Sequence, residues 1–473
     1  MKTLIRNGTL VTAAETFTAD ILIADEKIVM IGKELPAGDD VQVVDAVERI
    51  VMPGGVDPHT HFDLPMYDTV ASDDHYTGHK AAAFGGTTTV IDFVPQAPAG
   101  LAASVAAWRA KADPKAAIDF SFHMNITHLD ERIEQEIPTL LGMGISTLKV
   151  FTAYNNRLRL SDENIYKVMR IAKKHGFLTL IHAENGDVIE LLMAEALAAG
   201  NTTPEWHALT RPPWTASEAT LRGSALAAMA ETPLYVVHMN AGGEVDLLAY
   251  VRSKGLPIMG ETCPQYLFFT VDHLRRPDGA KWVCSPPMRS VEDNRRLWEG
   301  LQQGILQVVG TDHCAFFFDG TKPILYEGKP VAIPGKELGK DDFTKIPNGL
   351  PVVGDRLPVL WTEGVVRGRM TPNQFVALTS TNPAKIFGLY PRKGTLAPGS
   401  DADIVIWDVN RPVKYGVEKA HHRTDYNLFE GWQLTGFPEK VFLRGKLIVD
   451  GDRWLGKAGM GKFLERAGDN PVL

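Results

Sequence analysis

The chain has 473 residues, 44% of them hydrophobic and 22% charged, with 49 Lys+Arg against 57 Asp+Glu for a formal net charge of −8. That length suits one large domain with a smaller companion, and the composition is that of an ordinary folded enzyme, not of a disordered or fibrous chain. The mild acidity argues against nucleic acid or an anionic membrane surface as the main partner, and no apolar run reaches the roughly 18 residues of a membrane span.

Residues 1–52 open with alternating strands such as Ile21-Leu22-Ile23-Ala24 and Ile28-Val29-Met30-Ile31, punctuated by the turn signal Asn7-Gly8. The N-terminus reads as a strand and not as a signal peptide, so a cytoplasmic protein is expected. From about residue 53, short β-branched runs alternate with helical patterns, at 54–61, 88–94, 119–125, 147–153, 178–184, 233–240, 257–264 and 307–313. Eight such units predict an α/β protein, a (β/α)8 TIM barrel over 53–394, with its chemistry at the C-terminal ends of the strands. Helical patterns fill the gaps, for example at 162–175 and 216–230. The segments 265–289 and 316–349 are long for connections in a compact domain, and loops of that length are usually functional.

Residues 395–455 return to alternating strands, such as Ile404-Val405-Ile406-Trp407 and Val441-Phe442-Leu443, and with 1–52 are expected to build one small β-sandwich from both termini. The tail, 456–473, is Gly-rich and basic and forms little core alone, so it either frays or docks on a neighbouring subunit. Cys263, Cys284 and Cys314 are an odd number without C-x-x-C spacing, which indicates neither a disulfide framework nor a thiolate zinc site.

Polar residues fall at the strand ends. The first strand closes on His59 and His61, whose i, i+2 spacing puts both imidazoles on one face. The second ends in Asp92, the third reaches His123, the fourth carries Lys149, the fifth His182, the sixth His238, the seventh Glu261 and the eighth Asp312. His59, His61, His182, His238 and Asp312 are five candidate ligands from four strands, more than one metal requires. Lys149 lies in the apolar run Leu148-Lys149-Val150-Phe151, where an ammonium is poorly solvated and repelled by two dications. Carboxylation of its amine by CO2 converts the cation to a carbamate able to bridge two metals about 3.5–4 Å apart. A lysine reaching solvent and the Schiff-base lysine of a barrel aldolase are the other readings of Lys149; neither accounts for the four histidines.

Gly55-Val56-Asp57-Pro58-His59-Thr60-His61, Ser146-Thr147-Leu148-Lys149, Ile181-His182-Ala183-Glu184-Asn185, Val237-His238, Gly310-Thr311-Asp312-His313-Cys314 and the segment 394–403 together resemble the cyclic amidohydrolases, and among them the dihydropyrimidinase/hydantoinase family. The resemblance covers essentially the whole chain. It implies a binuclear hydrolase that opens 5,6-dihydropyrimidines or 5-substituted hydantoins to N-carbamoyl amino acids. One divalent metal, expected to be zinc, would be held by His59, His61, Lys149 and Asp312, and the other by carboxylated Lys149, His182 and His238.

By the same resemblance Asp312 shuttles the proton, Tyr154 stabilises the oxyanion, and backbone groups at Ser285 and Asn348 read the cyclic ureide. Leu64, Met66, Tyr67 and Leu158 would wall the pocket for the ring substituent. Response-mediator relatives share the fold without metal ligands, whereas all six positions are filled here. Dihydroorotases resemble one another in an arginine two residues after the second histidine; this chain has Asp63, expected to repel a carboxylate substrate. Allantoinase remains the alternative within the class, and a homotetramer is implied.

Overall fold

In the computed structural model, which describes residues 2–66 and 68–468, eight parallel strands pair in chain order: β1 (Gly55–Thr60), β2 (Thr87–Val94), β3 (Asp119–Asn125), β4 (Thr147–Phe151), β5 (Leu178–His182), β6 (Leu234–Val236), β7 (Ile258–Thr262) and β8 (Val308–Val309). The two ends of this sheet meet at the mouth, where Thr60 bridges His313 and the His61 amide donates to the His313 carbonyl at 2.7 Å. Every residue of these strands is buried, as expected for a parallel sheet covered on both faces. Val56, Ile91, Phe93, Leu180, Tyr235, Val237, Met259 and Val308 fill the interior, with Ile386, Phe387, Leu389 and Leu464 in the same cluster.

The helix expected at 162–175 forms as Asp162–His175. Ser161 caps it by accepting from the Asn164 amide, and Gly176 ends it at φ 79°. The sixth and eighth strands are shorter than their apolar runs because the backbone turns left-handed at His238 (φ 40°) and Asp312 (φ 54°). A left-handed residue ends the ladder and re-aims its own side chain.

The terminal segments form one nine-stranded mixed sheet, joined where Ile404–Lys414 pairs antiparallel with Ile50–Pro53. Its core draws on both ends of the chain, with Ile5, Leu10, Ile21, Ile23 and Val51 against Ile404, Ile406 and Phe442. Buried Lys393 ties this sheet to the barrel, its ammonium 2.6 Å from Asp119 at the start of β3 and 2.7 Å from Asp403.

The long connections are built, not featureless. The segment after β7 holds the helices Pro264–Phe268 and Val271–Leu274, and the segment after β8 holds a hairpin of Ile324–Tyr326 and Lys329–Val331. The tail, expected to fray or to dock on a neighbour, lies on its own barrel as far as Arg466. The Leu464 amide donates to Phe120, and the Arg466 guanidinium reaches Ser121 Oγ at 2.8 Å and Thr147 Oγ1 at 2.9 Å. The physical reason is the buried apolar and polar surface at the barrel base, which Leu464 and Arg466 complete. Among the described residues no helix is long and apolar enough to cross a membrane.

Candidate metal centre and substrate pocket

The strand ends bring the ligand candidates together. His59 Nε2 and His61 Nε2 each lie 3.1 Å from Asp312 Oδ1, so two imidazoles from β1 and a carboxylate from beyond β8 converge on one point. Asp57 holds this junction: its carboxylate accepts from the His59 amide at 3.2 Å and from Thr311 Oγ1 at 2.7 Å, tying the end of β1 to the residue before Asp312. Across the mouth, His182 Nδ1 and His238 Nε2 stand 2.8 Å apart, and the His59 and His238 rings are 5.3 Å apart. Lys149, 2% exposed, sits with its ammonium over the rings of Phe93 and Phe151, and all six residues line one cavity of ≈ 590 Å³.

The electrostatics suit a cation. Burial lowers His61, His182 and His238, which keeps these imidazoles neutral with free lone pairs. Burial also opposes charge on His59, but Glu261 and Asp312 raise it to about 9, so a proton there carries the positive charge that the two carboxylates demand. Asp312 is held well below the usual carboxylate range despite its desolvation, through His59 and His61. Burial pushes the Lys149 amine down to about 7. His61 Nδ1 is buried without a hydrogen-bond partner. Three neutral imidazoles, and a fourth at His59 where the carboxylates call for positive charge, converging on one another and on a shared carboxylate oxygen fit a divalent ion of borderline softness.

Three of the residues that line the cavity, Tyr154, His238 and Asp312, have positive φ (65°, 40° and 54°). Such backbone costs on the order of 1–3 kcal/mol at each non-glycine position and persists where the surroundings enforce it.

Two buried glutamates orient the imidazoles from behind. Glu261 Oε1 lies 2.6 Å from His59 Nδ1, which leaves Nε2 free to face Asp312, and Glu184 Oε2 lies 2.9 Å from His182 Nε2, which leaves Nδ1 facing His238. The sequence shows Glu261 at the end of β7 and Glu184 two residues after His182, but nothing in spacing alone assigns either to a partner. Glu261→Gln is expected to weaken metal affinity by about 10–100-fold, measured by competition with a chelator. Unchanged affinity would mean that packing alone orients the His59 ring.

Tyr154 faces the same cavity with its ring 4.9 Å from that of His182, and burial raises its phenol well above the usual range. Ser285 Oγ lies 3.0 Å from His207 Nε2 and accepts from Asn348 Nδ2 at 3.2 Å, so the two long loops touch where both residues line the pocket. Leu64, Met66 and Leu158 line the cavity, joined by Phe93, Pro95, Trp108 and Phe151, which the sequence did not single out. Tyr67 lies outside the described residues. Asp63 is not part of the pocket: its carboxylate pairs with Lys115 at 3.0 Å, so it does not repel a substrate from within.

Asp92 and His123, also at strand ends, belong to the framework. Asp92 accepts from Trp108 Nε1 at 2.8 Å and from the Phe62 amide at 3.2 Å, and His123 is held between Thr147 Oγ1 at 2.6 Å and the Pro58 carbonyl at 2.9 Å.

Fold and site together define a (β/α)8 hydrolase with a candidate metal centre at the barrel mouth. Residues 50–448 match the Amidohydrolase family. The chain belongs to that family and, within it, to the dihydropyrimidinase/hydantoinase group. It is 45% identical to a D-hydantoinase of Geobacillus stearothermophilus over 99% of this chain and 97% of that one. The crystal structure of a dihydropyrimidinase from Brevibacillus agri superposes with a TM-score of 0.95 at 46% identity, covering 99% of both chains. An L-hydantoinase from Arthrobacter aurescens is more distant, at 28% identity and a TM-score of 0.87 over 98% of this chain and 99% of that one.

Proposed function

We propose that this protein opens 5,6-dihydropyrimidines such as dihydrouracil and dihydrothymine, and 5-substituted hydantoins, to N-carbamoyl amino acids. The observation that carries this reading is the meeting of four imidazoles, Asp312 and buried Lys149 on one cavity that Leu64, Met66, Phe93, Trp108 and Leu158 also line. In the proposal His59, His61, Lys149 and Asp312 hold one divalent ion and carboxylated Lys149, His182 and His238 the other, with zinc the metal that this donor set favours. Bound there, two such ions supply an activated water and polarise the scissile carbonyl.

The chain's own groups do the rest. Asp312 takes the proton from the attacking water and gives it to the departing ring nitrogen. Tyr154 keeps its phenolic proton, since burial disfavours the phenolate, and donates it as a hydrogen bond to the developing oxyanion. Backbone groups at Ser285 and Asn348 hold the donor–acceptor edge of the ring, while Leu64, Met66 and Leu158 receive its substituent.

A homotetramer is part of the same reading, supported by exposed large apolar side chains on the helices Gly186–Ala198 and Pro213–Ala230, where Leu191 is 59%, Trp214 78% and Met229 62% exposed. The three unpaired, buried cysteines suit a reducing, cytoplasmic compartment.

The test is ring opening of dihydrouracil, phenylhydantoin and allantoin by protein produced with zinc and bicarbonate, with metal quantified on the same sample. The expected result is turnover of dihydrouracil or phenylhydantoin with about two metals per chain. Turnover of allantoin alone would move the substrate, and a metal-free, inactive protein would overturn the reading.

A further inference from the structure

Lys336 begins a single 3-10 turn, Lys336–Gly339, in the long loop after β8, and it is 1% exposed. Its Nζ donates to the Val283 carbonyl at 2.9 Å and to the Pro347 carbonyl at 3.0 Å. Among the described residues no carboxylate lies at ion-pair distance from it. A cation buried without a counter-ion is expensive, and a methionine of similar length would fill the space without that cost.

The two carbonyls are informative by their positions. Val283 stands two residues before Ser285, on the loop after β7, and Pro347 stands immediately before Asn348, on the loop after β8. The Val283 carbonyl also accepts from the Gly349 amide at 3.1 Å, and Asn348 Nδ2 donates to Ser285 Oγ at 3.2 Å. Two acceptors from different loops repel unless a donor stands between them, and Lys336 is that donor. Its own place is set by its amide, which donates to the Phe317 carbonyl at 2.8 Å, and by Gly335, where any Cβ would meet that same carbonyl oxygen at 2.1 Å.

We propose that Lys336 is a positioning residue for ureide recognition, setting the spacing between the loops that present Ser285 and Asn348 to the ring. The proposal rests on the reading of those two residues as substrate contacts. Burial pushes the Lys336 amine down to about 7. Ammonium and neutral amine both carry enough N–H groups for two carbonyls, so the clamp does not depend on its charge. Replacing the side chain strips the buried Pro347 carbonyl of its donor and frees the Asn348 side of the pocket to drift. Small displacements of this kind degrade recognition of a polar edge far more than they degrade a distant metal site.

The experiment compares wild type, Lys336→Met and Lys336→Gln by metal content, thermal unfolding, and KM and kcat for dihydrouracil. Glutarimide, a ring of the same size that lacks one ureide N–H, is measured alongside as substrate or competing ligand. The expected result is a folded Lys336→Met with wild-type metal content, KM for dihydrouracil raised about ten-fold, kcat changed less, and the preference for dihydrouracil over glutarimide reduced about ten-fold. Should Lys336→Met not fold, Lys336→Gln, whose shorter amide cannot reach both carbonyls, is read the same way. Unchanged KM and preference in a folded, metal-loaded variant overturn the proposal alone, as does a parallel loss of kcat on both rings that tracks the folded fraction. A wild type that opens neither ring overturns the ureide reading, and this proposal with it.

Discussion

Lys149→Ala is expected to lose about a thousand-fold or more of ring-opening activity and to retain at most one metal per chain instead of about two. Lys149 lies mid-strand in β4, its backbone opposite Asn125 of β3 and Leu180 of β5, so it cannot swing to solvent. It is 2% exposed and, among the described residues, has no carboxylate at ion-pair distance. Burial holds its amine at about 7, so near neutrality a large fraction carries the lone pair that attacks CO2. In that step the N–C bond forms, the nitrogen gives up a proton, and the product is an anion with two oxygens. Without it, the pairs His59/His61 and His182/His238 share only Asp312 as an anionic donor, too little charge to hold two dications close together. The alanine variant leaves room beside Phe93 and Phe151, so acetate or propionate should restore part of the activity together with the second metal. Full activity in Lys149→Arg, which cannot form the carbamate, would sink the argument.

The sequence carried much of this site because the barrel rule converts position along the chain into position in space. An apolar run that ends in His-x-His, or in Asp312, places those side chains at the mouth whatever the connections between them. What it could not carry is backbone and partner choice. The left-handed conformations of His238 and Asp312 cut β6 and β8 short, and no apolar pattern reports a φ angle. Glu261 and Glu184 were visible as residues, but their pairing with His59 and His182 depends on which face each strand end presents across the barrel. Asp63 illustrates the opposite error: its place two residues after His61 suggested a group that faces the substrate, yet its carboxylate pairs with Lys115 and does not line the cavity. The tail read as a segment that forms little core alone, and as far as Arg466 it is held because that guanidinium meets hydroxyl and carbonyl acceptors at the barrel base that lie hundreds of residues away in sequence.

Asp312→Asn is expected to cut kcat by about 10³–10⁴-fold while KM for dihydrouracil changes only a few-fold. Asparagine matches aspartate in shape and can keep an oxygen where Oδ1 now stands between His59 Nε2 and His61 Nε2, so the pocket that binds the ring is preserved. It loses the negative charge and the ability to carry a proton from water to the leaving nitrogen. The wild-type carboxyl is suited to that task because, against its own desolvation, the two imidazoles hold it well below the usual carboxylate range, so it stays ionised through the working pH range. Its left-handed backbone, buttressed by Thr311 and Asp57, aims it at the cavity when a relaxed strand would not. Because the wild-type carboxyl is ionised throughout that range, the loss of kcat should be of similar size at every working pH, with the folded fraction unchanged, a pattern that mere loosening of the fold does not produce. If Asp312→Asn keeps more than about a tenth of kcat, the proton must pass through another group. Glu184, buried on His182 with one carboxylate oxygen unpartnered, would then be the residue to replace next.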